Sequence, residues 1–156
     1  MERKEKDKYI VKVKNVTPEP VESCALPLYA SAGAAGADLR AYLNEPVVLK
    51  PGQRCAIPTG VAIQLPDCDT VALIFARSGL AAKKGVALSN GVGVIDADYR
   101  GEIKVLLSNL GTEDVSIAPG ERIAQILFVP VRQASFVWAD ALDVTERGDG
   151  GFGSTG

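Results

Sequence analysis

Short apolar stretches recur along the chain between Gly, Pro, Asn and Asp residues, the pattern of modest strands joined through turns. It predicts strands over Ile10 to Val13, Val47 to Leu49, Cys55 to Ile57, Val61 to Leu65, Thr70 to Phe75, Glu102 to Leu107, Val115 to Ile117, Ile123 to Val129 and Ala134 to Val137. Pro51-Gly52, Pro58-Thr59-Gly60, Asn109 to Gly111 and Pro119-Gly120 supply the breaks. Val61, Ile63 and Leu65 fall on one face of their strand, which is expected to turn that face to a core. One short helical segment is predicted, with Ser78 as its cap, Leu80 to Lys83 inside it and Gly85 as its terminator. No long amphipathic helix is available to cover a sheet, so the strands must cover each other. The expected fold class is all-β, a sandwich or jelly-roll barrel.

Composition narrows the function more than the fold. A chain of 156 residues with 47% hydrophobic content reads as one domain able to hold its core without metal or disulfide staples. Lys+Arg 17 against Asp+Glu 19 leaves a net charge of -2, so there is no broad basic field and no nucleic-acid partner is expected. No apolar run approaches the roughly 20 residues that cross a bilayer, and MERKEKDK is too polar for a signal peptide. The expectation is a soluble cytoplasmic protein without membrane contact. Cys24, Cys55 and Cys68 are odd in number and lack C-x-x-C spacing, which fits thiols in a reducing compartment.

The count of His is 0. That removes Ser-His and Cys-His nucleophile pairs, the HExxH site and the common His-containing zinc sites together. A carboxylate is then the simplest general base near neutral pH, and any metal must accept mainly oxygen ligands, as magnesium does.

Five stretches carry candidate chemistry. The glycine-rich end, Arg147-Gly-Asp-Gly-Gly-Phe-Gly-Ser-Thr-Gly156, can converge backbone N–H groups on phosphate oxygens, with Arg147, Ser154 and Thr155 as further donors and Phe152 as a cover for a planar base. In Gly93-Val-Ile-Asp-Ala-Asp-Tyr-Arg-Gly-Glu102, Asp96 and Asp98 point one way on an extended chain and Tyr99 the other, an order that a turn would change. A carboxylate beside water there can take its proton. Ala76-Arg77-Ser78-Gly79-Leu80-Ala81 places a cation and a hydroxyl at a helical turn. Asp38 in Ala35 to Leu39 can approach a metal, and Gln125 in Gly120 to Gln125 can donate to a phosphate or orient water. Taken singly, each stretch also reads as plain structure: a floppy terminus, an acidic hairpin, a helix cap, a turn cap and a solvent-facing amide.

Together and in this order, the five stretches resemble the five motifs of the trimeric deoxyuridine triphosphatases, the dUTPases, over about Leu26 to Gly156. The resemblance implies a jelly-roll-like β-barrel of the dUTPase type over residues 9–146 and a mobile tail over 147–156 that closes the active site; the charged residues 1–8 lie outside it and read as a solvated N-terminal arm. It implies Mg2+-dependent hydrolysis of dUTP to dUMP and pyrophosphate by water attack at the α-phosphate, which limits uracil in DNA and supplies dUMP for thymidylate synthesis. Asp96 matches the general base, and Tyr99 the ring on the deoxyribose that leaves no room for a 2′-hydroxyl. Asn90 and the backbone of Gly93, Val94, Ile95 and Asp96 match the pocket that reads uracil, with Lys104 adding a backbone contact. Arg77, Ser78 and Gly79 match the phosphate motif, Gln125 the residue near phosphates and water, and Asp38 the aspartate that reaches magnesium through water. Arg147 matches the γ-phosphate ligand, Phe152 the ring closing over uracil, and Gly153, Ser154 and Thr155 the donors around the phosphates. The sites are expected to be shared in a homotrimer. One departure is Ala76, where many members have Pro. The alternatives are a dCTP deaminase of related fold and a non-catalytic nucleotide sensor.

Overall fold

The computed structural model describes residues 9–17 and 25–151. In chain order the strands are β1 (Lys12–Asn15), β2 (Leu28–Tyr29), β3 (Ala37–Arg40), β4 (Val47–Leu49), β5 (Arg54–Pro58), β6 (Val61–Gln64) and β7 (Thr70–Ala76). The one helix among the described residues, α1 (Ser78–Lys84), precedes β8 (Val86–Leu88), β9 (Gly93–Ile95), β10 (Lys104–Asn109), β11 (Val115–Ile117) and β12 (Arg122–Pro130). The all-β expectation holds.

The strands form a five-stranded sheet ordered β2-β3-β12-β7-β9, a three-stranded sheet β5-β10-β8, and the pairs β1-β6 and β11-β4. Every pairing is antiparallel, and most neighbours are distant in sequence, the crossing connectivity of a jelly roll. Leu39, Leu49, Ile57, Ile103, Leu107, Ile117, Ile123 and Ile126 are fully buried in one cluster between the sheets. Val61, Ile63 and Leu65 join it as expected, but Ala62 is buried too, so that strand is covered on both faces. The core also encloses Asn109, whose Nδ2 donates to the carbonyls of Leu49 and Glu113 at 2.8 Å each while its Oδ1 accepts from Gly111 N at 2.9 Å. It ties the turn after β10 to β4, which is how a polar side chain is tolerated at this depth.

Two expectations need correction. Ala134 to Val137 form no strand; residues 131–149 run outside regular structure and are exposed, with Phe136 at 95% and Trp138 at 103%. β-branched and aromatic residues favour a strand only where a neighbour supplies pairing, and none does so here among the described residues. Secondly, Ser78 is the first helical residue and not its cap. Arg77 takes the cap position in extended conformation (φ -88, ψ 129) without a side-chain capping bond. The end of the helix is as expected: Gly85 adopts φ 65 and donates to Ala81 O at 3.1 Å.

Candidate functional site

Cross-strand partners share a face of a sheet, so the register states which side chains meet. Asp38 lies opposite Gln125 and Gln125 opposite Phe75, while Ala37 lies opposite Ile126 and Ile126 opposite Ile74. The second set is buried in the core, which leaves the first on the outer face of the five-stranded sheet. A cleft of about 710 Å³ opens there, within the range of small-molecule sites, lined by Gly36, Asp38, Arg77, Ser78, Gly79 and Gln125 among others. Three of the five sequence stretches therefore meet in one place.

Asp38 is the hub of the charges in this cleft. Its Oδ1 lies 2.9 Å from Arg77 Nε and its Oδ2 3.1 Å from Arg122 Nη1. Arg77 Nη1 also donates to the Arg122 carbonyl at 3.3 Å. Gln125 is held by Nε2 donating to Ala76 O at 3.2 Å. Gly36 allows that arrangement, because a Cβ added there would fall 2.8 Å from Leu127 Cδ1 and 2.9 Å from Gln125 Oε1. An apolar groove elsewhere, lined by Tyr9, Val11, Val13, Tyr29, Ile126 and Phe128 among others, has no charged side chain among the described residues that line it.

Five further candidates, Val94, Ile95, Asp96, Tyr99 and Lys104, line a second cleft together with Glu102 and Leu106. A turn closed by Tyr99 N donating to Asp96 O at 3.1 Å replaces the extended arrangement, so the carboxylate and the ring sit over the same cleft. Arg100 braces the turn by donating through Nη1 to the carbonyls of Ala97 (2.7 Å) and Tyr99 (2.9 Å). The Tyr99 hydroxyl donates to Glu102 O at 3.0 Å, and Lys104 lies 3.8 Å from the Glu102 carboxylate. β9 is the outermost strand of its sheet, so one row of its backbone groups lacks a strand partner among the described residues. Asn90 sits in the turn before it, with Val92 N donating to its carbonyl at 2.8 Å.

Asp96 does not share the cleft of Arg77 and Gln125 within one chain. Nor does Arg147, which lies in the exposed segment with Nε donating to Gly150 O at 2.8 Å. Phe152, Gly153, Ser154 and Thr155, like the 1–8 arm and Cys24, lie outside the described residues. No group of three or more His, Cys, Asp or Glu able to hold a metal occurs among the described residues, and no helix there is long and apolar enough to cross a membrane. Sequence reasoning passed over Arg100 and Arg122. Each stands inside a motif segment, but the partners that give it a role are set by turn closure and strand register.

A family model described as dUTPase matches residues 22–156. The deoxyuridine 5'-triphosphate nucleotidohydrolase of Desulfitobacterium hafniense is 53% identical over 146 residues, 94% of this chain and 97% of that protein. The protein of the same name from an Enterobacter species is 49% identical, over 94% of this chain and 96% of its own length. Among solved structures, a variant dUTPase of Staphylococcus bacteriophage 80alpha with dUpNHpp superimposes with a TM-score of 0.84 at 26% identity, covering 96% of this chain and 99% of that one. A variant dUTPase of phage phi11 of S. aureus, described with a structural Mg(II) ion, has the same fold with a TM-score of 0.74 at 22% identity, over 85% of this chain and 97% of its own. With the family model spanning the five motif stretches and relatives at about half identity over nearly the whole length, the chain belongs to the dUTPase family of enzymes.

Proposed function

We propose that the protein hydrolyses dUTP to dUMP and pyrophosphate in the cytoplasm, by attack of water on the α-phosphorus, and so limits uracil in DNA and supplies dUMP for thymidylate synthesis. The observation that carries the reading is the outer-face cleft, where the register of β3, β12 and β7 gathers Asp38, Gln125 and Arg77 with the start of α1. A guanidinium and the backbone amides of Ser78 and Gly79 at the start of α1 are the kind of donors a polyphosphate requires.

Asp96 accepts a proton from the attacking water as its oxygen bonds to the α-phosphorus and the bond to the departing pyrophosphate breaks. Arg77, Ser78 and Gly79 bind the phosphates, and Gln125 orients them and the water. Tyr99 packs on the deoxyribose. Asn90 and the free edge of β9, from Gly93 to Asp96, read uracil, with Lys104 at the far wall. A pocket of fixed backbone donors and acceptors leaves groups unpaired against cytosine, at about 1–3 kcal/mol each. Arg147 then takes the γ-phosphate, Phe152 covers the base, and Gly153, Ser154 and Thr155 surround the phosphates as the tail over 147–156 closes on the barrel over 9–146, with 1–8 as an arm.

The residues present fit magnesium in one mode. Both Asp38 oxygens already accept from guanidinium groups, and no three-ligand cluster occurs among the described residues, so these residues offer no cage for a bare ion. An ion arriving on the triphosphate with its waters suits Asp38, which would hold it through water. When bound, it supplies positive charge against the phosphate oxygens. The placing of Asp96 and Arg77 in different clefts of one chain supports the shared site of a homotrimer that the motif resemblance implies. The row of exposed apolar residues Phe136, Val137, Trp138, Leu142 and Val144 supports association.

The deciding experiment measures pyrophosphate release from dUTP, dCTP, dTTP and UTP with magnesium, and ammonia release from dCTP. Release from dUTP alone is expected. Ammonia from dCTP, or tight dUTP binding without pyrophosphate, would replace the reading with a deaminase or a sensor.

A further inference from the structure

Arg122 and Gln125 are three positions apart, and on a regular strand they would point to opposite faces. They do not, because β12 carries a bulge. Arg122 pairs with Arg40, yet Ala124 pairs with Leu39 and Gln125 with Asp38, so the chain spends one extra residue, the buried Ile123, between them. Partners share a face and Arg40 and Asp38 are two apart, so Arg122, Asp38 and Gln125 emerge on the same outer side. Arg40 is drawn away by donating through Nη1 to Gly120 O at 2.9 Å, which leaves Arg122 to meet Asp38.

The result is a chain of contacts ending at the cleft. The Asp38 side chain is only 13% exposed and gives one oxygen to each guanidinium. Arg77 is thereby fixed at two points, by Asp38 through Nε and by the Arg122 carbonyl through Nη1, with its other N–H groups left over for the cleft. Without Arg122, one Asp38 oxygen loses its cation, the carboxylate is free to rotate, and the arm that aims Arg77 slackens. We propose that Arg122 is a positioning residue for polyphosphate binding: it holds the Asp38 carboxylate so that Arg77 stays aimed into the cleft. The inference rests on the proposed dUTP hydrolysis.

The test compares Arg122→Gln, Arg122→Lys, Asp38→Asn and the Asp38→Asn/Arg122→Gln pair with the unaltered protein for dUTP kinetics, melting temperature and oligomer mass. Arg122→Gln is expected to raise KM about tenfold with kcat within about twofold, the size of coupling between residues in contact. Arg122→Lys keeps the charge and should recover most of the loss. In the Asp38→Asn background the Arg122→Gln change should have almost no further effect, because the contact it acts through is already weakened. Unchanged kinetics overturns the inference, as does a full loss in the Asp38→Asn background, which would mean that Arg122 acts on substrate directly. A loss equal in Gln and Lys variants and matched by a fallen melting temperature makes the residue structural and also overturns it. If the unaltered protein releases no pyrophosphate from dUTP, the proposed function fails and this inference with it, a result distinct from failure of the variants alone.

Discussion

Gly36→Ala separates stability from chemistry in one methyl group. The added Cβ would stand 2.8 Å from Leu127 Cδ1, 2.9 Å from Gln125 Oε1 and 3.2 Å from Gln125 Cβ, where ordinary contacts begin near 3.4 Å. The two shortest approaches are to the ends of side chains, which can swing aside. The fold should therefore yield cheaply, by about 1 kcal/mol, the low end of overpacking costs. The Gln125 amide cannot yield without moving several tenths of an ångström and breaking its 3.2 Å bond to Ala76 O. A displacement near 1 Å at a positioning group can cost up to about 100-fold in rate. The expected outcome is a fall of about tenfold or more in kcat for dUTP, with a melting temperature within a few degrees of the parent. Stopped-flow pyrophosphate release and calorimetry measure the two. If kcat is unchanged although a crystal structure shows Gln125 displaced, the amide has no part in the reaction. If the protein unfolds, the contacts are less yielding than argued.

Three other substitutions probe separate links. Asp96→Asn keeps the size of the side chain but removes the carboxylate proposed as the base, so turnover of dUTP should fall by at least about 100-fold while binding of a non-hydrolysable analogue, followed by titration calorimetry, stays within a few-fold. Tyr99→Ala removes the ring held by its hydroxyl bond to Glu102 O, and the dUTP to UTP ratio of kcat/KM should drop; an unaltered ratio contradicts the packing role. Asn109→Ala strips three hydrogen bonds from a side chain with 0% exposure, and chemical denaturation should show a loss of about 3 kcal/mol with kinetics of the surviving folded protein unaffected.

How far the chain could be read in advance depends on what each element relies on. Val47 to Leu49 and Val115 to Ile117 were legible to the residue, the first as a short apolar run and the second as an apolar-polar-apolar alternation, each close to turn formers, and the two pair with each other. β3, Ala37–Arg40, was not. Its alanine, aspartate and arginine carry little strand preference, and it forms because Asp38 and Leu39 find partners on β12. The converse error fell on Ala134 to Val137, which carries Phe136 and Val137 but has no pairing strand among the described residues. At the site, the motif order named Asp38, Arg77 and Gln125, and the strand register explains their meeting. The bridge from Asp38 to two guanidinium groups depends on a bulge that no periodicity displays, and so Arg122 was passed over.

The same unpartnered segment bears on the assembly. Trp138 is fully exposed, Phe136 and Val144 nearly so, and covering a large apolar side chain is worth about 1.5–3 kcal/mol. If neighbouring copies complete the active site, this row is the natural place for them to grip, and loss of Trp138 should weaken association before it touches chemistry. Trp138→Ser is expected to make specific activity depend on protein concentration, falling on dilution where the parent holds steady, with kcat restored at high concentration. Mass photometry over the same range should show trimers dissociating in step with the lost activity. An undiminished trimer with undiminished activity at nanomolar chain would show that this row contributes nothing to the contact. Monomers that retain full activity would refute the shared site itself, and would require Asp96 and Arg77 to reach one substrate from two clefts of a single chain.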